Sequence, residues 1–247
     1  MWRVIGLNAY SAAENMAIDD AIAECVASGL SPPTIRFYRW LAPGAVSVGR
    51  FQNARDEIDV DACRRLGIDI VRRRTGGGAV FHSHDGEITY SVAAPERCFP
   101  SGIRESYRDI CSYIIRGLSY LGIKADFRPI NDVIVNGKKI SGSAQTRRNG
   151  VILQHGTILY RLDRQTMFTV LKPSKLKLSD KPASSFEAGI ASVKELTGAS
   201  VEQLYDALLR GFTEGKEWRL GALTENELAF TKGMIWKYDS YEWNFSR

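Results

Sequence analysis

Two Asn-Gly dipeptides, Asn136-Gly137 and Asn149-Gly150, sit between runs rich in β-branched residues. Asn-Gly in that setting favours the positive φ angles of a two-residue hairpin turn. DVIV, KKISGSAQT and VILQHGTILY therefore read as three consecutive antiparallel strands, which excludes an all-helical fold and a purely parallel sheet. Upstream, TIRFYRW alternates, with Ile35 and Phe37 on one face, and AVSVG follows the Pro43-Gly44 turn. IDIVRR and GEITYSVAA read as two further strands. Ser11 and Glu14 have capping-box spacing, and Ile18, Ala21, Ile22, Cys25 and Val26 then recur at helical period as far as Gly29, so a helix is predicted over about 12–28. DEIDVDACRRLG reads as a short helix. Tyr107, Ile110, Cys111, Ile114, Ile115, Leu118 and Leu121 mark a long amphipathic helix between Gly102 and Gly122. Further helices are predicted over about 164–171, 184–197, 201–214 and 224–234, the last opened by a Thr224–Glu227 capping box. The polar, basic stretch 172–185 reads as a mobile loop. The fold class expected is α+β: a single large domain, 1–247, with a central mixed, mostly antiparallel sheet flanked by helices. The segment 224–247 is its C-terminal helix and tail.

Composition narrows the function classes. Hydrophobic residues make up 44% and charged residues 25% of 247, which excludes general disorder. Lys plus Arg exceed Asp plus Glu by 33 − 28 = 5, an excess that suits an anionic ligand without demanding nucleic acid. The N-terminus lacks a basic region followed by a long apolar core, and no apolar run approaches the roughly 18 residues of a membrane helix. The four cysteines form no C-x-x-C pair and there are three histidines, which argues against a zinc cage and for reduced thiols in a cytoplasmic protein.

Four segments carry chemistry, the least specific being Gly49-Arg50-Phe51-Gln52-Asn53 after a strand, which an ordinary loop explains equally. In Arg72-Arg73-Arg74-Thr75-Gly76-Gly77-Gly78-Ala79-Val80-Phe81-His82, glycines between two β-type segments let backbone N–H groups converge on an oxyanion, and the arginines add charge-assisted bonds. A plain glycine turn with a solvated basic flank fits the same residues. In Asn131-Asp132-Val133-Ile134-Val135-Asn136-Gly137-Lys138-Lys139-Ile140-Ser141-Gly142-Ser143-Ala144, strand alternation lets only one of Lys138 and Lys139 point into a site, and the small residues that follow let a ligand approach the backbone. An edge hairpin with solvent-facing lysines is the alternative. In Gln154-His155-Gly156-Thr157, His155 is either a satisfied core imidazole or part of a cavity wall.

Taken in order, RRxTGGGAVFH, ND…GKKISGSAQ and HGTIL, with GRFQN upstream, closely resemble the lipoate–protein ligase A family, within the wider lipoyl/biotinyl/octanoyl transferase superfamily. The resemblance implies that lipoate is joined to ATP to give lipoyl-AMP. The lipoyl group then passes to a lysine of a lipoyl carrier domain: glycine cleavage H protein, a 2-oxoacid dehydrogenase acyltransferase subunit, or a lipoate-binding protein. It implies ATP and Mg²⁺ as cosubstrates and lipoate as substrate. Arg73 and the backbone of Gly76, Gly77, Gly78, Ala79, Val80 and Phe81 would hold the adenylate. Lys139 would bridge the acyl carbonyl and the phosphate as the catalytic cation. His82, Asn131, Ser143, Ala144, His155 and Gly156 would be further contacts, and Asp132 would approach Mg²⁺. Many ligases carry an extra C-terminal domain that this chain lacks, so a small accessory subunit is expected for the activation step. SFEAGIASVKEL departs from the run usual in ligases.

The nearest competitor is an octanoyl transferase of the same fold, independent of ATP and supplied by acyl carrier protein or another carrier. Such enzymes use a cysteine nucleophile, since thioester exchange makes an acyl-enzyme directly. In similar transferases that cysteine lies shortly before the ND-equivalent hairpin or after the HG strand. ADFRPIND has none and none follows Cys111, while GEITYSV resembles some transferases as much as ligases. The cysteine argument makes the ligase the expected activity. A basic RNA-binding module built on Arg72–Arg74, Arg147-Arg148 and the lysines of 172–181 lacks aromatic interleaving, so neither nucleic acid nor membrane is expected as a partner.

Overall fold

The computed structural model describes residues 1–172 and 189–246. Eleven strands are found there: β1 (Trp2–Tyr10), β2 (Thr34–Trp40), β3 (Gly44–Val48), β4 (Asp69–Arg72), β5 (Val80–Ser83), β6 (Glu87–Pro95), β7 (Asp126–Arg128), β8 (Asp132–Val135), β9 (Lys138–Arg148), β10 (Val151–Leu159) and β11 (Trp218–Gly221). Eight of them form one sheet in the order β11-β1-β2-β6-β10-β9-β8-β7, and the other three form a second sheet, β4-β3-β5. In the large sheet β1 pairs parallel with β2 and β11, and every other pairing is antiparallel.

Both predicted hairpins form. Asn136 and Gly137 have φ of 51° and 78°, Asn149 and Gly150 of 52° and 73°, the double positive φ that a type I′ turn needs. Between Val133 and Ile134 the β8–β9 register shifts, so that Val133 faces Ser141 while Ile134 faces Lys139. A bulge of this kind reverses the side-chain parity of the strand end beyond it.

Helices cover both faces of the large sheet. On one lie α4 (Ile103–Ser119) and α7 (Val201–Thr213), whose Ile110, Ile114, Leu118, Leu204, Leu208 and Phe212 pack on Phe37, Tyr90, Val92 and Ile152. On the other, α1 (Ala12–Ala27) lays Ile18, Ile22 and Val26 on Ile5, Ala93, Val151 and Leu153. With both faces covered, the first eight residues of β6 and of β10 are buried throughout instead of alternating. Ser11 caps α1 with the expected capping box.

Some elements depart from expectation. The short helix splits into α2 (Ala54–Glu57) and α3 (Val60–Arg65), because Ile58 is extended and the Asp59 carboxylate accepts from Ala62 N to start a new helix. The others are α5 (Arg164–Val170), α6 (Val193–Thr197), α8 (Glu225–Asp239) and α9 (Tyr241–Phe245). The helix predicted from 224 thus runs five residues further. Beyond Lys172 the loop expected over 172–185 lies outside the described residues, as does the start of the helix expected over 184–197; of its described part, 189–192 are not helical and the helix begins at Val193. Among the described residues no helix is long and apolar enough to cross a membrane.

Candidate functional site

The triple-glycine bend joins β4 to β5, and buried Arg73 shapes it. Its guanidinium donates to the carbonyls of Gly76 (2.8 Å) and Gly78 (2.7 Å), and to the Ser47 carbonyl and hydroxyl (both 3.1 Å). Among the described residues no carboxylate pairs with it, and burial pulls its pKa down to about 10. A buried cation with only neutral acceptors attracts an anion or a polarised carbonyl. Gly77 has φ of 97°, and a Cβ on Gly49 would lie 2.0 Å from its carbonyl oxygen, so the loop after β3 and the bend touch backbone to backbone.

The flanking arginines serve elsewhere. Arg74 pairs with Asp20 (3.1 Å) and Glu24 (3.3 Å) on α1. Arg72 donates to the carbonyls of Gly49, Gln52 and Asn244. His82 bonds Ser47 Oγ (2.8 Å) and Glu87 (2.7 Å) and stacks on Trp40 at 4.1 Å, so both ring nitrogens are engaged inside the protein. Phe81 packs into the small-sheet core with Val46, Val48 and Ile58; Ala79 packs against that cluster and Val80 begins β5.

The bend is moored to the large sheet through Thr75, whose hydroxyl lies 2.7 Å from His155 Nε2. His155 Nδ1 meets Asp19 at 3.1 Å, and Asp19 also receives Arg36 (2.8 Å) and Ser91 (2.8 Å). Burial would raise the Asp19 carboxyl, but the His155 hydrogen bond and the Arg36 charge outweigh it and hold it below its ordinary value. The hub therefore joins α1, β2, β6 and β10 to the bend. Thr75 and Asp19 were not among the expected site residues; the hint in the sequence is the adjacent pair Asp19-Asp20, set among Ala17, Ile18, Ala21 and Ile22.

The second half of the site is the bulged hairpin. Lys139 Nζ lies 2.6 Å from Asp132 Oδ1, off the line of a regular hydrogen bond, and Arg128 donates to Asp132 Oδ2 at 2.8 Å. A Cβ on Gly142 would meet that amine at 2.5 Å, so the amine lies over the Gly142 backbone. Gly142 pairs with Thr157, and Ala144 with His155. Residues two apart on a strand share a face, and so do cross-strand partners. Lys139 and the Thr75–Gly78 bend thus lie on the same face of the large sheet. The Lys139 side chain is 38% exposed and reachable from solvent.

Ser143 and Gly156 face the other way. Ser143 Oγ lies 2.8 Å from Tyr90 OH and 3.8 Å from Cys111 Sγ beneath α4, and a Cβ on Gly156 would lie 2.8 Å from Ser143 Oγ. Asn131 braces the strand by donating to the Ser143 carbonyl at 2.6 Å. The segment after the undescribed stretch returns to the site: Lys139 N donates to Gly189 O, and Ala191 N to Lys139 O.

The family model for the lipoyl protein ligase A/B catalytic domain matches residues 11–213. The chain is 39% identical to an octanoyltransferase LipM of Kyrpidia tusciae and 36% identical to one of Clostridioides difficile, each covered over 100% of this chain and 99% of the relative. Among solved structures, it resembles a bipartite lipoate protein ligase of Thermoplasma acidophilum (TM-score 0.87, 31% identity, 98% and 95% covered). It also resembles a lipoate-protein ligase A bound with ATP (TM-score 0.85, 29% identity, 98% of each chain).

These relatives overturn the expected ATP-dependent ligase. The curated relatives aligned end to end are octanoyltransferases, and a thioester is already an activated acyl group, so no lipoyl-AMP intermediate is needed. ATP, Mg²⁺ and lipoate fall with that reading as cosubstrates and substrate. Asp132, expected near Mg²⁺, is instead the counter-ion of Lys139 and Arg128, and among the described residues no cluster of three or more potential ligands is suited to a metal.

Proposed function

Because this chain belongs to the lipoyl protein ligase A/B catalytic family, we propose that it transfers an octanoyl group from a carrier thioester to a lysine of a lipoyl carrier domain, without ATP. The end-to-end likeness to octanoyltransferases carries the choice of reaction; the Lys139 amine over Gly142 carries its location. Gly142 leaves room for the acyl carbonyl beside the amine, and a fixed cation there stabilises the oxyanion of the tetrahedral intermediate. Asp132 holds the amine in place. Arg73 and the glycine bend supply positive charge and N–H donors on the same face, where the donor's phosphopantetheine is the fitting anion.

Acyl carrier protein is the donor class that fits, and glycine cleavage H protein or a 2-oxoacid dehydrogenase acyltransferase subunit the acceptor. Both carriers are cytoplasmic in kind, which supports a cytoplasmic site of action. With the ATP step gone, an accessory subunit has no task left. The test mixes the purified chain with octanoyl-acyl carrier protein and an apo lipoyl domain in nucleotide-free buffer. The acceptor gains the mass of one octanoyl amide. Modification that appears only when ATP and a free fatty or lipoic acid are supplied overturns the reading.

A further inference from the structure

Four cations from separate parts of the chain converge beside the glycine bend. Arg50 belongs to the loop after β3, Arg74 follows β4, Arg148 ends β9, and Lys237 comes from the last turn of α8. Trp243 joins two of them: Arg50 Cζ lies 4.6 Å and Lys237 Nζ 3.9 Å from its ring centroid. Asp20 joins Lys237, at 3.8 Å, to Arg74, at 3.1 Å. Arg74 and Arg148 then line one recess between α1 and the β9–β10 turn, together with Glu24 and Asn149. Arg148 is exposed, and Arg50, Arg74 and Lys237 are half-buried, so the cluster forms part of the surface.

The local balance of charge is positive. Asp20 is buried and is shared by Arg74, Lys237 and the Tyr238 hydroxyl. Glu24 pairs with Arg74. Among the described residues no carboxylate pairs with Arg50 or Arg148. Asp239, at the end of α8, has Asp69 and Glu14 as its charged neighbours instead. Burial, followed by the charges of Arg74, Arg50 and Arg148, pulls the Lys237 amine below its ordinary value against the opposing pull of Asp20. Like charges held this close repel one another, and an anionic partner laid over them relieves that repulsion.

The patch lies on the donor's side of the site. Arg50 N donates to Thr75 O at 2.8 Å, and Arg74 directly precedes Thr75, so both are fixed to the backbone of the bend. The bend is the part of the site proposed to hold the phosphopantetheine anion. That phosphate is esterified to a side chain of the carrier, so holding it at the bend lays the carrier's own surface against the neighbouring residues. The acceptor has to deliver only a lysine side chain to the carbonyl beside Lys139, which is reachable from solvent separately. We infer that Arg50, Arg74, Arg148 and Lys237 form the docking surface for the donor carrier, and that they select a carrier whose phosphopantetheine-bearing face is acidic. Charges placed at the rim in this way speed encounter with one partner and leave the chemistry alone.

This inference rests on the octanoyl-transfer reading, and the experiment separates the two. Arg74 and Lys237 also neutralise Asp20, so the variants are Arg50→Glu and Arg148→Glu. Each is assayed with octanoyl-acyl carrier protein and with octanoyl-phosphopantetheine, which keeps the arm and its phosphate but lacks the carrier. Each reversal raises the KM for octanoyl-acyl carrier protein roughly tenfold at low salt, because it sets like charges face to face. The difference closes as ionic strength rises from about 0.1 M to about 1 M and the screening length falls from about 10 Å to about 3 Å. Turnover of octanoyl-phosphopantetheine and the KM for the apo lipoyl domain stay within about twofold of wild type, since binding of one partner alone has changed. Arg50→Lys and Arg148→Lys keep the charge and the wild-type KM. An unchanged KM for the carrier in both reversals overturns the inference. So does a KM raised equally for octanoyl-phosphopantetheine, which makes these cations holders of the arm, or one raised for the acceptor instead. Titration with apo-acyl carrier protein, which has no arm, reads docking without turnover. If wild type modifies no acceptor from either thioester, the octanoyl-transfer reading falls. Salt-sensitive binding of the apo-carrier that is lost in both reversals still upholds the surface, and binding of a short RNA in its place overturns it.

Discussion

Lys139 owes its position to two neighbours, a carboxylate 2.6 Å away and a residue without a side chain beneath it. Its side chain is 38% exposed, so the pair adds little to stability, as exposed pairs do. If it stabilises the oxyanion, Lys139→Met keeps the thermal midpoint and lowers kcat/KM by roughly 10²–10³, the usual worth of one such donor. An unchanged rate in the octanoyl-transfer assay removes Lys139 from the chemistry. Asp19 behaves in the opposite way. It is buried, and its carboxyl is held below 3.8 by His155 and Arg36 against the cost of burial. A depressed carboxyl contributes stability that is present above its unfolded pKa and lost as pH falls through the folded value. Asp19→Asn leaves Arg36 without its counter-ion and costs about 3–5 kcal/mol at pH 7. Urea titrations at pH 7 and pH 3 should show that deficit shrinking at the lower pH. A deficit constant with pH contradicts the ionic account.

The β8–β9 hairpin shows what local sequence does and does not announce. Asn136-Gly137 specifies its turn through backbone angles, which depend on two residues only. The register shift at Val133/Ile134 depends on how the strands pair, and no residue type marks it. Yet the shift brings Lys139, rather than Lys138, over Gly142. The same divide runs through the rest of the fold. Capped helices and hairpins were legible, whereas β7 with three residues and the surface edge strand β11 carry no periodic pattern to read. The glycine bend and the GKKISGSAQ run were legible as a family motif, but the reaction was not. An oxyanion site looks the same whether the leaving group is AMP or a thiol, so residues that hold the acyl carbonyl do not identify what departs from it. Gly142 tests the element directly. In Gly142→Ala the new methyl meets the flexible end of Lys139, so the fold survives while the amine is displaced. Urea unfolding should stay within about 1 kcal/mol of wild type, in the range of small surface effects, while transfer drops at least as far as in Lys139→Met. A fall in stability with normal turnover would show that Gly142 serves packing alone.

Across the whole molecule, the two sheets are held together by chain segments far apart in sequence. The C-terminal helix α8 is tied down by Glu227 on Arg3 of β1 and by Tyr238 on Asp20 of α1. Beyond it, Asn244 accepts from Arg72 N at 2.7 Å and donates to Tyr238 O at 2.7 Å, and Trp243 Nε1 donates to Arg72 O. Arg72 in turn grips the carbonyls of Gly49 and Gln52 beside the glycine bend. The tail thus braces the bend through Arg72 and the Gly49–Gln52 loop. Asn244→Ala removes a buried acceptor and donor while leaving every residue of the proposed site unchanged, and it should cost about 1–3 kcal/mol of stability. If the bend holds the donor's anion as proposed, the same variant should raise the KM for the octanoyl donor more than it lowers kcat. Stability and steady-state kinetics measured on one preparation decide the matter. A lowered midpoint with an unchanged KM would mean that the bend keeps its shape through Arg73 and Thr75 alone, and that the tail is only a clasp.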